Sequence, residues 1–325
     1  MQQSVSELFD LYLSRSDLRP SSKRFKERAL AYFIEWFGDI PAGRVTAAIA
    51  EDYRTMLAVG RSKSAANGYL ANFKPFFEWL FRHGRIPSNP FYGLRLYRVT
   101  QQKRTTFTAN ELSRIMKVAN QIWRVRIAFG LLGMRRGEML NVCKSDIKLS
   151  SCHPHILLCP KKRSKNTWPW ELKDHAIRYV ALPEKMFFND IVVRLHDDIN
   201  SLMNNYWPYI CLEERYFQKL ILWQRDGKPE CSISFEEDVL DPTGNFQRMF
   251  RALQKRAGVN STKRYHELRA AFATKMIEGY GLNRAADALG HSNVQTTRKY
   301  NRKSEMSLVA DMGNIAEKCY QSIVP

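Results

Sequence analysis

Two histidines, an arginine and a tyrosine fall within one stretch of 36 residues. It opens Tyr265-His266-Glu267-Leu268-Arg269 and closes Leu289-Gly290-His291-Ser292-Asn293-Val294-Gln295-Thr296-Thr297-Arg298-Lys299-Tyr300. These side chains suit work on a phosphodiester. The non-bridging oxygens gain negative charge in the transition state, and the planar fork of an arginine matches them. A nucleophile must attack in line and a departing oxygen needs a proton. A tyrosine nucleophile would keep the cut end as a covalent phosphoester.

The rest of the chain fits a polyanionic partner. Its 325 residues carry 51 Lys+Arg against 32 Asp+Glu, a formal net charge of +19. Nucleic acid is the usual target of such an excess. The charge is spread along the chain, net +8 up to Arg104 and +11 beyond it, so both parts can meet phosphates. A hydrophobic fraction of 44% predicts a globular chain with room for two domains. Cys143, Cys152, Cys159, Cys211, Cys231 and Cys319 form no Cys-x-x-Cys pair and read as free thiols. With no apolar run of membrane-spanning length, the expected location is cytoplasmic, at the nucleoid.

Helical patterns dominate the first hundred residues: Val5 to Leu13, a run from Ser21 or Ser22 to about Phe37, one capped by Thr46, and Ser62 to Arg82. Pro75 inside the last is expected to kink or break it. The basic, polar stretch Arg95 to Thr106 reads as a linker. The predicted organisation is a helical domain over 1–98, a linker over 99–106 and a catalytic domain over 107–325. Arg95, Arg98, Lys103 and Arg104 are DNA-backbone candidates; a solvated connector is the ordinary alternative.

The second part opens with a capping-box signature at Thr108 to Glu111. Two helical patterns follow, interrupted by Gly133-Met134-Arg135-Arg136-Gly137-Glu138. Ile156 to Cys159, Thr167 to Lys173 and Ile177 to Leu182 read as strands, with a turn at Asp174-His175. Residues 184–241 read as mostly helical, and Ser304 to Ile323 as a last amphipathic helix. The fold class is mainly α with a small antiparallel β-sheet.

Arg135, Lys173, His266, Arg269, His291 and Tyr300 together resemble the tyrosine recombinase (phage integrase) family. Residues 133–138 look like its first arginine box, His266-Glu267-Leu268-Arg269 like its His-x-x-Arg box, and Leu289-Gly290-His291 with a tyrosine nine residues on like its third box and nucleophile. Phe77-Glu78-Trp79 and Gly84 to Pro90 resemble the end of its core-binding domain. The resemblance implies a helical, SAM-like core-binding domain followed by a mixed α/β catalytic domain. It also implies strand cleavage and rejoining without metal, ATP or other cofactor. Tyr300 would attack, leaving a 3′-phosphotyrosyl link. Arg135 and Arg269 would clamp the phosphate, His266 would act as general base or orient the phosphate, and His291 would donate to a non-bridging oxygen. Lys173 would protonate the leaving 5′ oxygen, with Lys165 as runner-up, and Glu138 would hold the site together. Double-stranded DNA bearing a specific site, and a homotetramer on two such sites, are the implied partners; a mobile genetic element is the implied setting.

Two rivals stay open at this point: a type IB-like topoisomerase with the same phosphotyrosine chemistry, and a DNA-binding protein that has lost catalysis. Other classes lack their signatures. Cys152-His153-Pro154-His155 with Cys159 is too cramped for a zinc site of ordinary spacing. No phosphate-binding Gly-x-x-x-x-Gly-Lys, His-Glu-x-x-His or Gly-x-Ser-x-Gly motif is present.

Overall fold

A computed structural model describes residues 3–16, 18, 20–100, 105–162, 164, 167–168, 170–173, 177–218, 244–260, 263–298 and 300. The chain forms two compact units, Met1–Lys103 and Arg104–Pro325.

The first unit is helical. Helix α1 (Val5–Ser14) starts at a capping box, in which Ser4 Oγ accepts from the Glu7 backbone and Glu7 Oε2 accepts from the Ser4 backbone. Helices α2 (Pro20–Phe37), α3 (Ala47–Ala58, capped by Thr46) and α4 (Lys63–Arg82, capped by Ser62) follow. Pro75 does not break α4, which continues through it. A proline in a helix interior costs about 3 kcal/mol. Phe73, Phe76 and Phe77 flank it and are fully buried, and each such side chain stabilises by roughly 1.5–3 kcal/mol. The apolar face therefore outweighs the lost hydrogen bond. Phe73 is the hub, packing on Phe33, Tyr53 and Phe91 with ring centroids 5.2–5.7 Å apart.

The second unit wraps helices around two small sheets. Thr108 and Glu111 form the expected capping box of α5 (Ala109–Val118). Helix α6 (Gln121–Leu131) is buried along Trp123 and Val125 to Gly130. It delivers the chain to Gly133 and the short α7 (Arg136–Leu140). Strands β1 (Ile147–Lys148), β2 (His155–Leu158) and β3 (Arg178–Ala181) form an antiparallel sheet in that order. In its register Ile156 pairs with Val180 and Leu158 with Arg178.

Among the described residues of the stretch Thr167 to Lys173, expected as a strand, one bridge forms, Trp170 with Lys161. Trp168 turns inward instead. Its indole N–H donates to Asn141 Oδ1 at 2.8 Å, and its ring stacks on Tyr209 at 4.0 Å. Sinking that indole and pairing its N–H wins over continued pairing. The turn expected at Asp174-His175 lies outside the described residues. The helical expectation for residues 184–241 also needs correction. β4 (Lys185–Phe188) and β5 (Ile191–Arg194) form a hairpin before helix α8 (Leu195–Met203). Its two-residue turn starts at Asn189 with φ 51°, a left-handed conformation that asparagine tolerates.

Helices α9 (Gly244–Arg256) and α10 (His266–Leu289) complete the unit, with a kink in α10 at Gly281. A last turn of helix, α11, spans Gln295–Arg298. The helix expected over Ser304 to Ile323 lies outside the described residues. Among the described residues no helix is long and apolar enough to cross a membrane.

Candidate active site

The first arginine box is built by a turn. Gly133 takes φ +87°, and a Cβ there would stand 2.6 Å from the Phe272 ring. Only glycine fits on both counts. The turn sets Arg135 at the N-terminus of α7, where its backbone N–H donates to Glu138 Oε2 at 2.6 Å and its guanidinium to Oε1 at 2.8 Å.

Glu138 is the electrostatic hub. It is buried, and three arginines meet it: Arg135, Arg178 (2.7 Å, Nη2 to Oε2, and 3.0 Å, Nη1 to Oε1) and Arg269 (3.6 Å). Burial alone would raise its carboxyl pKa. The Arg178 guanidinium first, then Arg269 and the Arg135 backbone N–H, hold it down to about 2 from 4.5. A buried carboxylate is tolerated here because it is fully paired.

Arg269 lies three residues along α10 from His266, fully buried. Its Nη1 donates to the Gly133 carbonyl and its Nη2 to the Leu289 carbonyl at 2.7 Å. Its Nε is buried with no acceptor among the described residues. Burial, then the Arg135 charge, push its pKa down to about 10 from 12.5, against the pull of Glu138. The guanidinium thus sits in a cation-rich, dry pocket where an anion is favoured.

The C-terminus of α10 aims His291. Gly290 takes φ 62°, its N–H bonds the Asp287 carbonyl, and the His291 N–H bonds the Ala286 carbonyl at 3.0 Å. This is a Schellman cap, which calls for glycine. A Cβ on Gly290 would also stand 3.1 Å from Arg178 Cδ and Nη1. The cap therefore closes directly over the arginine that pairs with Glu138.

Beyond it, α11 returns Tyr300 to the same pocket. Tyr300 packs with Ala270, Ala273 and Leu289 and is 4% exposed. Its phenol oxygen lies 2.8 Å from His266 Nε2. Burial raises the phenol pKa, and Arg269 and Arg135 pull it back. The His291 ring stacks along the Tyr300 ring, with centroids 6.3 Å apart.

Arg135, Glu138, His266, Arg269, His291 and Tyr300 are thus brought into one cluster. Lys173 is exposed on the segment before β3, and no described hydrogen bond ties it to the cluster. Lys165, Lys103 and Arg104 lie outside the described residues; Arg95 and Arg98 are exposed. His155 Nδ1 lies 2.7 Å from the His153 carbonyl, and the His155 ring meets the Tyr179 ring edge-on with centroids 5.1 Å apart. Among the described residues no group of three His, Cys, Asp or Glu side chains could hold a metal ion.

Two residues were not singled out from sequence. Arg178 shares the inward face of β3 with Val180, and the period-two pattern of that strand could have found it. Thr297 is fully buried, with Oγ1 2.8 Å from His291 Nδ1; its sequence carried no such signal.

Comparison with known proteins places the chain in a family. Residues 105–306 match the model of the phage integrase family. Tyrosine recombinase XerC of Lactobacillus leichmannii is 23% identical over 269 residues, 79% of this chain and 78% of that protein. An integrase/recombinase of Escherichia coli is 41% identical over 73 residues, 22% of this chain and 21% of that protein. Among solved structures, the Tn1549 transposon integrase in complex with transposon right end DNA superposes with a TM-score of 0.69 at 18% identity, covering 97% of this chain and 100% of that one. A lambda integrase dimer bound to a COC′ core site gives 0.66 at 15% identity, covering 93% and 98%. At these identities the superpositions speak for the fold, and the match over most of the second unit speaks for descent. The chain belongs to the phage integrase family, the tyrosine recombinases.

Proposed function

We propose that this protein is a site-specific DNA recombinase that cuts and rejoins strands through a 3′-phosphotyrosyl bond at Tyr300. The observation that carries the reading is the 2.8 Å contact between the Tyr300 phenol and His266 Nε2, in one pocket with Arg269 and Arg135. A phenol whose pKa is raised by burial needs a base at hand to become a nucleophile, and the imidazole is within reach.

Tyr300 Oη attacks phosphorus while its proton passes to His266. Arg135 and Arg269 meet the charge that builds on the non-bridging oxygens; losing one such donor typically costs about 10²–10³ in rate. The 5′ oxygen departs with a proton from Lys173 or Lys165. The phosphoester conserves the bond, so a 5′ hydroxyl of a partner strand can reverse the step without ATP or a metal. Glu138 keeps Arg135 and Arg269 in place. His291 donates to the phosphate once Arg269 has turned from its Nε2 to the incoming oxygen and that nitrogen carries a proton.

Duplex DNA with a specific site is the substrate, met along its backbone by Arg95, Arg98, Lys103 and Arg104, and the working unit is a homotetramer on two sites. Support comes from related folds bound to DNA, including a lambda integrase tetramer bound to a Holliday junction. The protein acts in the cytoplasm on nucleoid or mobile-element DNA. A plasmid bearing paired cognate sites tests the reading: recombinant circles without added Mg²⁺ support it, and relaxation of supercoils without recombinants favours topoisomerase activity.

A further inference from the structure

We infer that Thr297 is a positioning residue that fixes the tautomer of His291 and ties that ring to the backbone of Tyr300. The inference rests on the functional reading above only for its consequence in catalysis; the geometry stands independently.

A guanidinium has five N–H donors and no acceptor. Arg269 Nη2 lies 3.0 Å from His291 Nε2, so Nε2 must present its lone pair. A neutral imidazole carries one N–H, which then sits on Nδ1. The group 2.8 Å from Nδ1 is Thr297 Oγ1, and it accepts that hydrogen. The ring is thereby held from both sides in one tautomer.

Thr297 is suited to this by position. It is fully buried, out of reach of bulk solvent. Its backbone N–H donates to the Val294 carbonyl at 2.8 Å, and its own carbonyl accepts from the Tyr300 N–H at 2.9 Å. One residue therefore grips the imidazole with its side chain and the attacking residue with its main chain.

The arrangement also survives a change of charge. If Nε2 gains a proton when Arg269 turns to a phosphate, Nδ1 keeps its own hydrogen. The Thr297 hydroxyl accepts from the neutral ring and from the imidazolium alike. The ring can switch Nε2 from acceptor to donor without rotating, and the ring stack on Tyr300 is preserved.

The test compares the full chain with Thr297→Val, which keeps shape and removes the acceptor, and Thr297→Ser, which keeps the acceptor. Histidine ¹⁵N correlation spectra report the tautomer of His291, its signal identified by loss in His291→Gln. Formation of the covalent adduct on a nicked DNA substrate reports the consequence. The Nδ1–H form is expected in the wild type and in Thr297→Ser, and its loss in Thr297→Val. Adduct formation should slow by about 10- to 100-fold in Thr297→Val, the scale of a small misplacement of a reacting group, and recover in Thr297→Ser. An Nε2–H tautomer in the wild type overturns the inference whatever the variants do. So does a Thr297→Val protein that keeps the wild-type tautomer, whatever its rate, because Arg269 alone would then set it. A wild type that forms no Tyr300-dependent adduct removes the functional reading, while the spectra still decide the role of Thr297.

Discussion

The Tyr300 phenol oxygen and His266 Nε2 lie 2.8 Å apart although 34 residues separate them in the chain. Helix α10 carries His266 at its start, and the glycine cap and α11 return the chain to bring Tyr300 back. The proposed nucleophile and its proposed base therefore meet within a single unit of a single chain.

His266→Ala should slow adduct formation by about 10²–10⁴, the usual contribution of a positioned general base. Affinity for DNA should change little, because one exposed side chain is removed. Single-turnover cleavage beside a binding titration checks both. A normal cleavage rate would assign the base elsewhere.

Glu138→Gln should destabilise the second unit by roughly 3–5 kcal/mol, since it leaves buried arginines without their counter-charge. The pH dependence follows from the depressed carboxyl. A group whose pKa falls from 4.5 unfolded to about 2 folded stabilises fully above 4.5 and loses that contribution as pH falls through 2. The shift corresponds to on the order of 3 kcal/mol. Denaturant unfolding of both proteins should show a gap that is constant near neutral pH and narrows between about 4.5 and 2.

Gly290→Ala should cost about 1–3 kcal/mol, because it forces a left-handed residue and brings a methyl 3.1 Å from Arg178. Cleavage should fall further than stability alone predicts, since both His291 and the Arg178–Glu138 pair would shift. Denaturation midpoints and adduct rates measured together check the two effects.

Much of this site was legible in the sequence because its chemistry restricts residue types at fixed spacings. Arg135, His266, Arg269, His291 and Tyr300 could be picked out that way. Thr297 could not: its burial depends on the turn after Gly290, and a threonine pair before Arg298 looks like an ordinary helix surface. The leaving-group lysine stayed open for another reason. The connection from Leu158 to Arg178 is long, with one bridge at Lys161 and Trp170 among its described residues, so spacing alone cannot say which lysine faces the phosphate. The β4–β5 hairpin was missed although its signal was present. Phe187-Phe188-Asn189-Asp190-Ile191-Val192 is a turn between β-forming residues.

DNA binding should weaken steeply as salt rises, because neutralised phosphates release counterions. Substituting Arg95 or Arg98 by Gln should lower the magnitude of the log–log salt slope by about one each if each neutralises a phosphate. Binding isotherms over a salt series check this. An unchanged slope would return Arg95 and Arg98 to the role of solvated linker residues.

The proposed chemistry joins Tyr300 covalently to DNA. The direct measurement is a nicked suicide substrate carrying the cognate site, incubated with the full chain in the absence of Mg²⁺ and resolved under denaturing conditions. A protein–DNA adduct through a 3′ phosphate is expected from the wild type and none from Tyr300→Phe. An adduct that persists in Tyr300→Phe, or a wild type that binds the site and never forms one, would contradict that chemistry.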